Sequence, residues 1–134
     1  METVSAYIKR SPAACWRVLV DAALLTHWVP GLRRALVIAL GTDGLPSEIH
    51  FEFSTSLTYT LVYTYDIPAC EMRFEPRLGK RDGVRGYARI EPFDEGTRIS
   101  YGLELGAGRS EADRALGGAA EIVDAFVRWM HATR

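Results

Sequence analysis

The sequence predicts an α+β domain in which a curved antiparallel sheet of seven strands wraps around one long C-terminal helix, with two short helices after the first strand. Three observations predict it. From Arg34 to about residue 106 apolar residues recur every second position, whereas the flanking segments follow the helical period. Consecutive strand-like runs are joined by short Gly/Asp turns, too short for the crossovers that parallel neighbours need. The final segment, Ser110 to about Thr133, is the one element long enough to cover the apolar face of such a sheet.

The first strand runs from Thr3 to Lys9, with Val4, Ala6 and Ile8 alternating against Ser5, Tyr7 and Lys9. Ser11-Pro12 then starts a helix: Ser supplies a cap, and Pro sits where its missing donor has no partner to lose. Trp16, Leu19 and Val20 share one face of that helix. A second short helix, capped by Asp21, carries Leu24, Leu25 and Trp28 and stops at Pro30-Gly31. Arg34 to Leu40 is the next strand, closed by the turn Gly41-Thr42-Asp43-Gly44.

Ile49, Phe51 and Phe53 alternate with His50, Glu52 and Ser54, and Leu57, Tyr59, Leu61, Tyr63 and Tyr65 alternate with threonines and Val62. Asp66-Ile67-Pro68 turns the chain into a strand with Cys70, Met72 and Phe74 on one side, ended by Pro76. A hairpin around Gly79 and Asp82-Gly83 leads to Val84, Ala88 and Ile90. Asp94-Glu95-Gly96 turns into the last strand, with Ile99, Tyr101, Leu103 and Leu105 on one row.

The closing helix shows Ala115, Leu116, Ala119, Ile122, Val123, Phe126 and Met130 on its apolar face, and Ser110 with Asp113 has capping-box spacing. Glu111 and Asp113 lie near its positive end, Arg128 and His131 near its negative end. At ~1.5 Å per residue it would be roughly 35 Å long. Neighbouring strands twist by about 20–25°, so a wide sheet coils around such a rod, and one straight helix leaves part of the concavity unfilled. A cavity between sheet and helix is the expected consequence.

Composition narrows the function. The 134 residues suit one domain, 1–134, and the formal net charge of -1 lacks the basic excess of a nucleic-acid binder. No apolar run is long enough for a membrane span, and Met1-Glu2-Thr3-Val4 does not open a secretory leader, so a cytoplasmic protein is expected. Cys15 and Cys70 have no metal or disulfide spacing and read as reduced, partly buried thiols. Neither metal nor cofactor is expected: Gly106-Ala107-Gly108 lacks the third glycine of a dinucleotide loop and follows the last strand.

Three segments carry a family resemblance. Ser11-Pro12-Ala13-Ala14-Cys15-Trp16-Arg17-Val18-Leu19-Val20-Asp21 is similar to the first helix of the START-like, polyketide cyclase/dehydrase and lipid-transport (SRPBCC) superfamily, which includes the birch-pollen-allergen type proteins. His27-Trp28-Val29-Pro30-Gly31 resembles its tryptophan and proline-glycine turn, and Gly96-Thr97-Arg98-Ile99-Ser100-Tyr101 resembles the hairpin exit before its terminal helix. The resemblance spans essentially the whole chain and implies a helix-grip fold with a hydrophobic pocket. It implies no single reaction, because members bind, carry, cyclise, dehydrate or dock partners.

The expected ligand contacts are Trp28, Phe51, Phe53, Tyr59, Tyr63, Phe74, Tyr101, Ile122 and Phe126, an aromatic-lined pocket in which the hydroxyls of Tyr59, Tyr63 and Tyr101 would orient a guest; the bland alternative is a filled core. These inward rows lack carboxylate, histidine and lysine, the usual acid–base groups. His50 and Tyr63 are the weak catalytic candidates, and His50 with Glu52 would turn inward only through a bulge or a one-residue slip. His27 reads as a helix-end or pocket-mouth residue, His131 as solvated, and Asp66 as a turn residue. Arg77, Lys80, Arg81 and Arg85 read as a solvated hairpin or an anionic contact. Gly117-Gly118 marks either a late start of the regular helix or a soft spot that, with Gly106–Gly108, gates the cavity.

The leading expectation is binding or transport of a hydrophobic small molecule (a lipid, an aromatic metabolite or a polyketide-like compound). The alternative is a polyketide cyclase or dehydratase acting through Tyr63 or an inward His50. A third reading is a protein-interaction module, in one form a homodimer through a sheet edge or the outward face.

Overall fold

In a computed structural model of the chain, residues 1–77, 84–105 and 118–133 are described. Strand β1 (Glu2–Ile8) is followed by α1 (Pro12–Leu19), a 3-10 turn (Ala22–Leu24) and α2 (Leu25–Trp28). Six strands come next: β2 (Leu32–Leu40), β3 (Pro46–Phe53), β4 (Thr58–Asp66), β5 (Glu71–Pro76), β6 (Val84–Phe93) and β7 (Gly96–Leu105). Helix α3 (Ala119–Ala132) closes the described chain. The sheet order is β1-β7-β6-β5-β4-β3-β2 and every pairing is antiparallel, as the short turns require. β1 and β2 are therefore its two edges.

The local signals act as expected at several ends. Ser11 Oγ accepts from Ala14 N–H at 3.1 Å with Pro12 in the first turn of α1, and Asp21 Oδ1 accepts from Ala23 N–H at 3.0 Å. Gly31 turns with φ 74°, in the left-handed region, and Asp66 Oδ1 accepts from Ala69 N–H. Cys70 differs from expectation: it sits at φ 50° in the turn before β5, half-buried, and not within the strand. Cys15 is fully buried and both thiols are free.

Helix α3 buries Ala119, Val123, Phe126 and Met130, one helical stripe, against the concave side of the sheet. Its nearest strand is β1, and the two match in length: seven strand residues rise about 24 Å, fourteen helical residues about 21 Å. That match lets β1 and the two residues after it hold both ends of the helix. Glu2 Oε1 accepts from Ala119 N–H at the positive end. At the other end Arg10 Nη1 donates to the carbonyls of Met130 (2.8 Å) and Thr133 (2.7 Å), and Lys9 N–H donates to His131 Nε2 at 3.0 Å. His131 is exposed, as expected, and also tied to the backbone of Lys9. Gly118 is the N-cap of α3, in line with a regular helix starting after the glycine pair. The expected first turns with Ser110, Glu111, Asp113, Ala115 and Leu116, the Gly106–Gly108 joint, Gly117, and the hairpin residues Gly79, Lys80, Arg81, Asp82 and Gly83 lie outside the described residues.

Candidate ligand-binding cavity

Alternation along the strands builds the cavity. On β3 the side chains of Ile49, Phe51 and Phe53 are buried while Glu48, His50 and Glu52 are half-exposed on the other face. The antiparallel register sets Phe51 opposite Tyr59, Ile49 opposite Leu61 and Tyr63 opposite Phe74, then Phe74 opposite Gly86 on β6. One apolar row therefore runs across β3, β4, β5 and β6 and on to Leu103 and Tyr101 of β7. Ring contacts follow it: Phe51–Tyr59 at 5.5 Å, Tyr63–Phe74 at 5.9 Å and Phe74–Tyr101 at 6.1 Å between centroids. Gly86 makes room at the centre, since a Cβ there would stand 2.0 Å from Gly102 O and 3.0 Å from Phe74 Cζ.

Between this floor and a roof from the end of α1, the 3-10 turn, α2 and Ile122 of α3 lies a cavity of about 110 Å³. Trp28, Phe51, Phe53, Tyr59, Tyr63, Phe74, Tyr101 and Ile122 all line it. Phe126 is brought elsewhere: it is 1% exposed and packs edge-on against Trp28 at 5.0 Å, behind the lining and away from the lumen. The reason is the helical period, because four residues separate Ile122 from Phe126 and the second falls one turn further along, beneath α2. Leu19, Leu25, Met72 and Leu103 also line the cavity and were missed by a reading that selected for aromatic rings. For Met72 the signal was available, since it shares the inward row of Phe74 two residues away.

The described lining contains no carboxylate, histidine, lysine or arginine. Its polar groups are the phenols of Tyr59, Tyr63, Tyr65 and Tyr101 and the indole of Trp28. Tyr65 is committed, donating to Pro46 O at 2.7 Å. Burial pushes the Tyr63 phenol well above its usual range, with the neighbouring phenols of Tyr59, Tyr101 and Tyr65 adding to the effect. Burial and then Tyr59 raise Tyr101, and burial and then Asp43 raise Tyr65. At neutral pH these phenols keep their protons and serve as hydrogen-bond donors, not as acids. Trp28 Nε1 is buried with no hydrogen-bond partner.

His50 stays on the outer face. Its Nδ1 lies 2.9 Å from Thr60 Oγ1 on β4, and its Nε2 3.7 Å from Glu52, which also faces Arg34 at 3.7 Å. The sheet does contain irregularities, at Arg33 and Ile38 of β2 and at Ser47 of β3, but from Ile49 to Phe53 the alternation is unbroken and His50 keeps its outward phase. His27 is exposed beside Trp129, with ring centroids at 5.8 Å, and Arg77 pairs with Glu48 at 3.4 Å. No group of three or more potential metal ligands occurs among the described residues, and no described helix is long and apolar enough to cross a membrane.

No family model and no curated protein matches the chain. Solved structures do. A START superfamily protein from Mycobacterium smegmatis superposes with a TM-score of 0.76 at 14% identity, over 98% of this chain and 97% of that one. A STAR-related lipid transfer protein fragment from Xanthomonas axonopodis gives 0.69 at 16% identity, over 96% and 84%. The di-domain ARO/CYC StfQ from the steffimycin biosynthetic pathway gives 0.69 at 13% identity, over 96% of this chain and 44% of that longer one. At such identities the likeness is one of fold: the chain has the START-like helix-grip fold, a curved seven-stranded antiparallel sheet packed on its C-terminal helix.

Proposed function

We propose that this START-like domain binds an uncharged, largely apolar small molecule between sheet and helix. The observation that carries the reading is the lining itself: apolar and aromatic side chains around a lumen of about 110 Å³, with phenols but no charged group among the described residues. A dry cavity of about 150 Å³ holds a benzene molecule; this lumen, at about 110 Å³, is smaller, so a single ring or a short acyl segment enters it with an outward shift of the side chains that line it. Burying such a group contributes about 25 cal/mol per Å² before the costs of association. A carboxylate ligand would leave water and meet no cation, at a cost of several kcal/mol. Tyr63 and Tyr101 offer O–H donors suited to a carbonyl or ether oxygen of the guest.

The names of the structural neighbours, lipid transfer and ARO/CYC, support both a carrier and a cyclase. The cavity favours the carrier. A cyclase or dehydratase needs a group that exchanges protons near working pH, and the described lining offers only phenols held protonated by burial. His50 faces away from the lumen.

Native mass spectrometry of freshly purified protein tests for a co-purifying guest, and calorimetric titration with p-cresol and 4-methylbenzoate tests the chemistry. We expect p-cresol to bind at least about tenfold tighter than its carboxylate analogue at neutral pH, which is ~1.4 kcal/mol of discrimination. Equal affinities, or tighter binding of 4-methylbenzoate, would refute the proposal of an uncharged ligand.

A further inference from the structure

The two edges of the sheet are unlike. β1 carries Glu2, Ser5 and Tyr7 and lies against α3. β2 pairs only with β3, so its far side presents a row of unpaired backbone N–H and C=O groups. Along that row Leu36, Val37, Ile38 and Leu40 are 38, 43, 54 and 64% exposed. Natural edges are usually blunted by charge or proline, and the stretch Ala35 to Leu40 contains neither. Its bulges at Arg33 and Ile38 shorten the regular ladder without covering it.

We propose that β2 is an interface between two copies of this chain, joined edge to edge in an antiparallel, two-fold symmetric pair. Three observations select that occupant. First, the exposed apolar residues stand on both faces of the strand: Leu36 lies opposite outward His50, and Val37 opposite inward Ile49. A partner strand packs against both faces, whereas a membrane would cover one and bury unsatisfied backbone groups. Second, an antiparallel edge is self-complementary, because the same surface serves both copies. Third, the charges agree. Arg33, which has no ion pair among the described residues, stands at the start of β2 and Asp43 in the turn after its end, so an antiparallel pair turns the basic end of each copy toward the acidic turn of the other.

Sedimentation equilibrium on the full chain, from about 1 µM to about 1 mM, tests this. A small interface interrupted by bulges predicts a reversible dimer with a dissociation constant of roughly micromolar order. Ile38→Lys and, independently, the more exposed Leu40→Lys should each weaken it at least about tenfold while leaving the unfolding temperature and p-cresol titration unchanged. A chain that stays monomeric throughout, or a dimer that neither substitution weakens, would overturn the proposal. So would a monomer that sediments with phosphatidylcholine/phosphatidylglycerol vesicles and loses that property in both variants.

Discussion

The carboxylate of Glu2, on the first strand, accepts a hydrogen bond from the backbone N–H of Ala119, the first residue of α3. It does for this helix what an N-cap side chain does elsewhere, since Gly118 offers none. A charge at this end also meets the positive end of the helix dipole. Gly118 leaves the space: a Cβ there would lie 3.0 Å from Glu2 Oε1 and 2.9 Å from Glu121 Oε2. Glu2→Ala should therefore destabilise the fold by about 1 kcal/mol, and Glu2→Gln by less, because the amide keeps an acceptor but loses the charge. Urea unfolding with unchanged slope is the measurement; equal stabilities for both variants and wild type would show that the contact contributes nothing.

A second prediction separates two glycines on neighbouring strands, Gly86 of β6 opposite Leu103 and Gly102 of β7 opposite Tyr87. A Cβ on Gly86 would meet the carbonyl oxygen of Gly102 at 2.0 Å, which is backbone and cannot step aside. A Cβ on Gly102 would meet the Tyr87 ring at 2.4 Å, and a side chain can swing away. Gly86→Ala should cost about 3 kcal/mol or more and Gly102→Ala about 1–2 kcal/mol. Chemical denaturation of the two variants in parallel decides; the reverse order would mean that the sheet, not the ring, yields.

The fold was legible because its signals are local and repeated. Ser11-Pro12, Pro30-Gly31 and the period-two rows of Ile49–Phe53 and Leu57–Tyr65 each specify structure without reference to distant residues. The outward phase of His50 was legible for the same reason. What pattern could not supply is anything that depends on which element lies opposite. That Phe126 meets Trp28 and not the lumen depends on where α2 crosses α3, and that Glu2 caps a helix 117 residues later depends on β1 lying along it. Nor does alternation reveal an edge: Leu36 to Leu40 reads like any half-buried strand until the sheet order leaves β2 without a neighbour.

Phe126, behind the lining, and Trp28, within it, make opposite predictions. Phe126 is enclosed, so Phe126→Ala opens a void and should cost about 3–5 kcal/mol. Trp28 carries a buried N–H without a partner, so Trp28→Phe removes an unsatisfied donor while losing some volume. The two effects offset, and the net change should stay within about 1.5 kcal/mol. Thermal and urea unfolding give both numbers, and a Trp28→Phe loss as large as that of Phe126→Ala would show that indole packing outweighs the orphaned donor.

The cavity phenols set the alkaline limit of the fold. Tyr63, Tyr65 and Tyr101 are all raised above 10.0, burial being the first cause for each. In the unfolded chain they ionise near 10, so above that pH the unfolded state has lost protons that the folded state retains. Stability is fully present below pH 10 and falls as pH rises above it, by about 1.4 kcal/mol per pH unit for each phenol. Cys15, raised by burial against the opposing effects of Thr97 and Arg10, pushes in the same direction from the ordinary thiol value of about 9.0. Tyr63→Phe should flatten the decline by one phenol's share, and tyrosinate absorbance from these three cavity rings should develop only with loss of the circular dichroism of the sheet. Cavity phenols that titrate near 10 in a folded protein would mean that water reaches them freely, and the lumen would then be too wet to select an apolar guest.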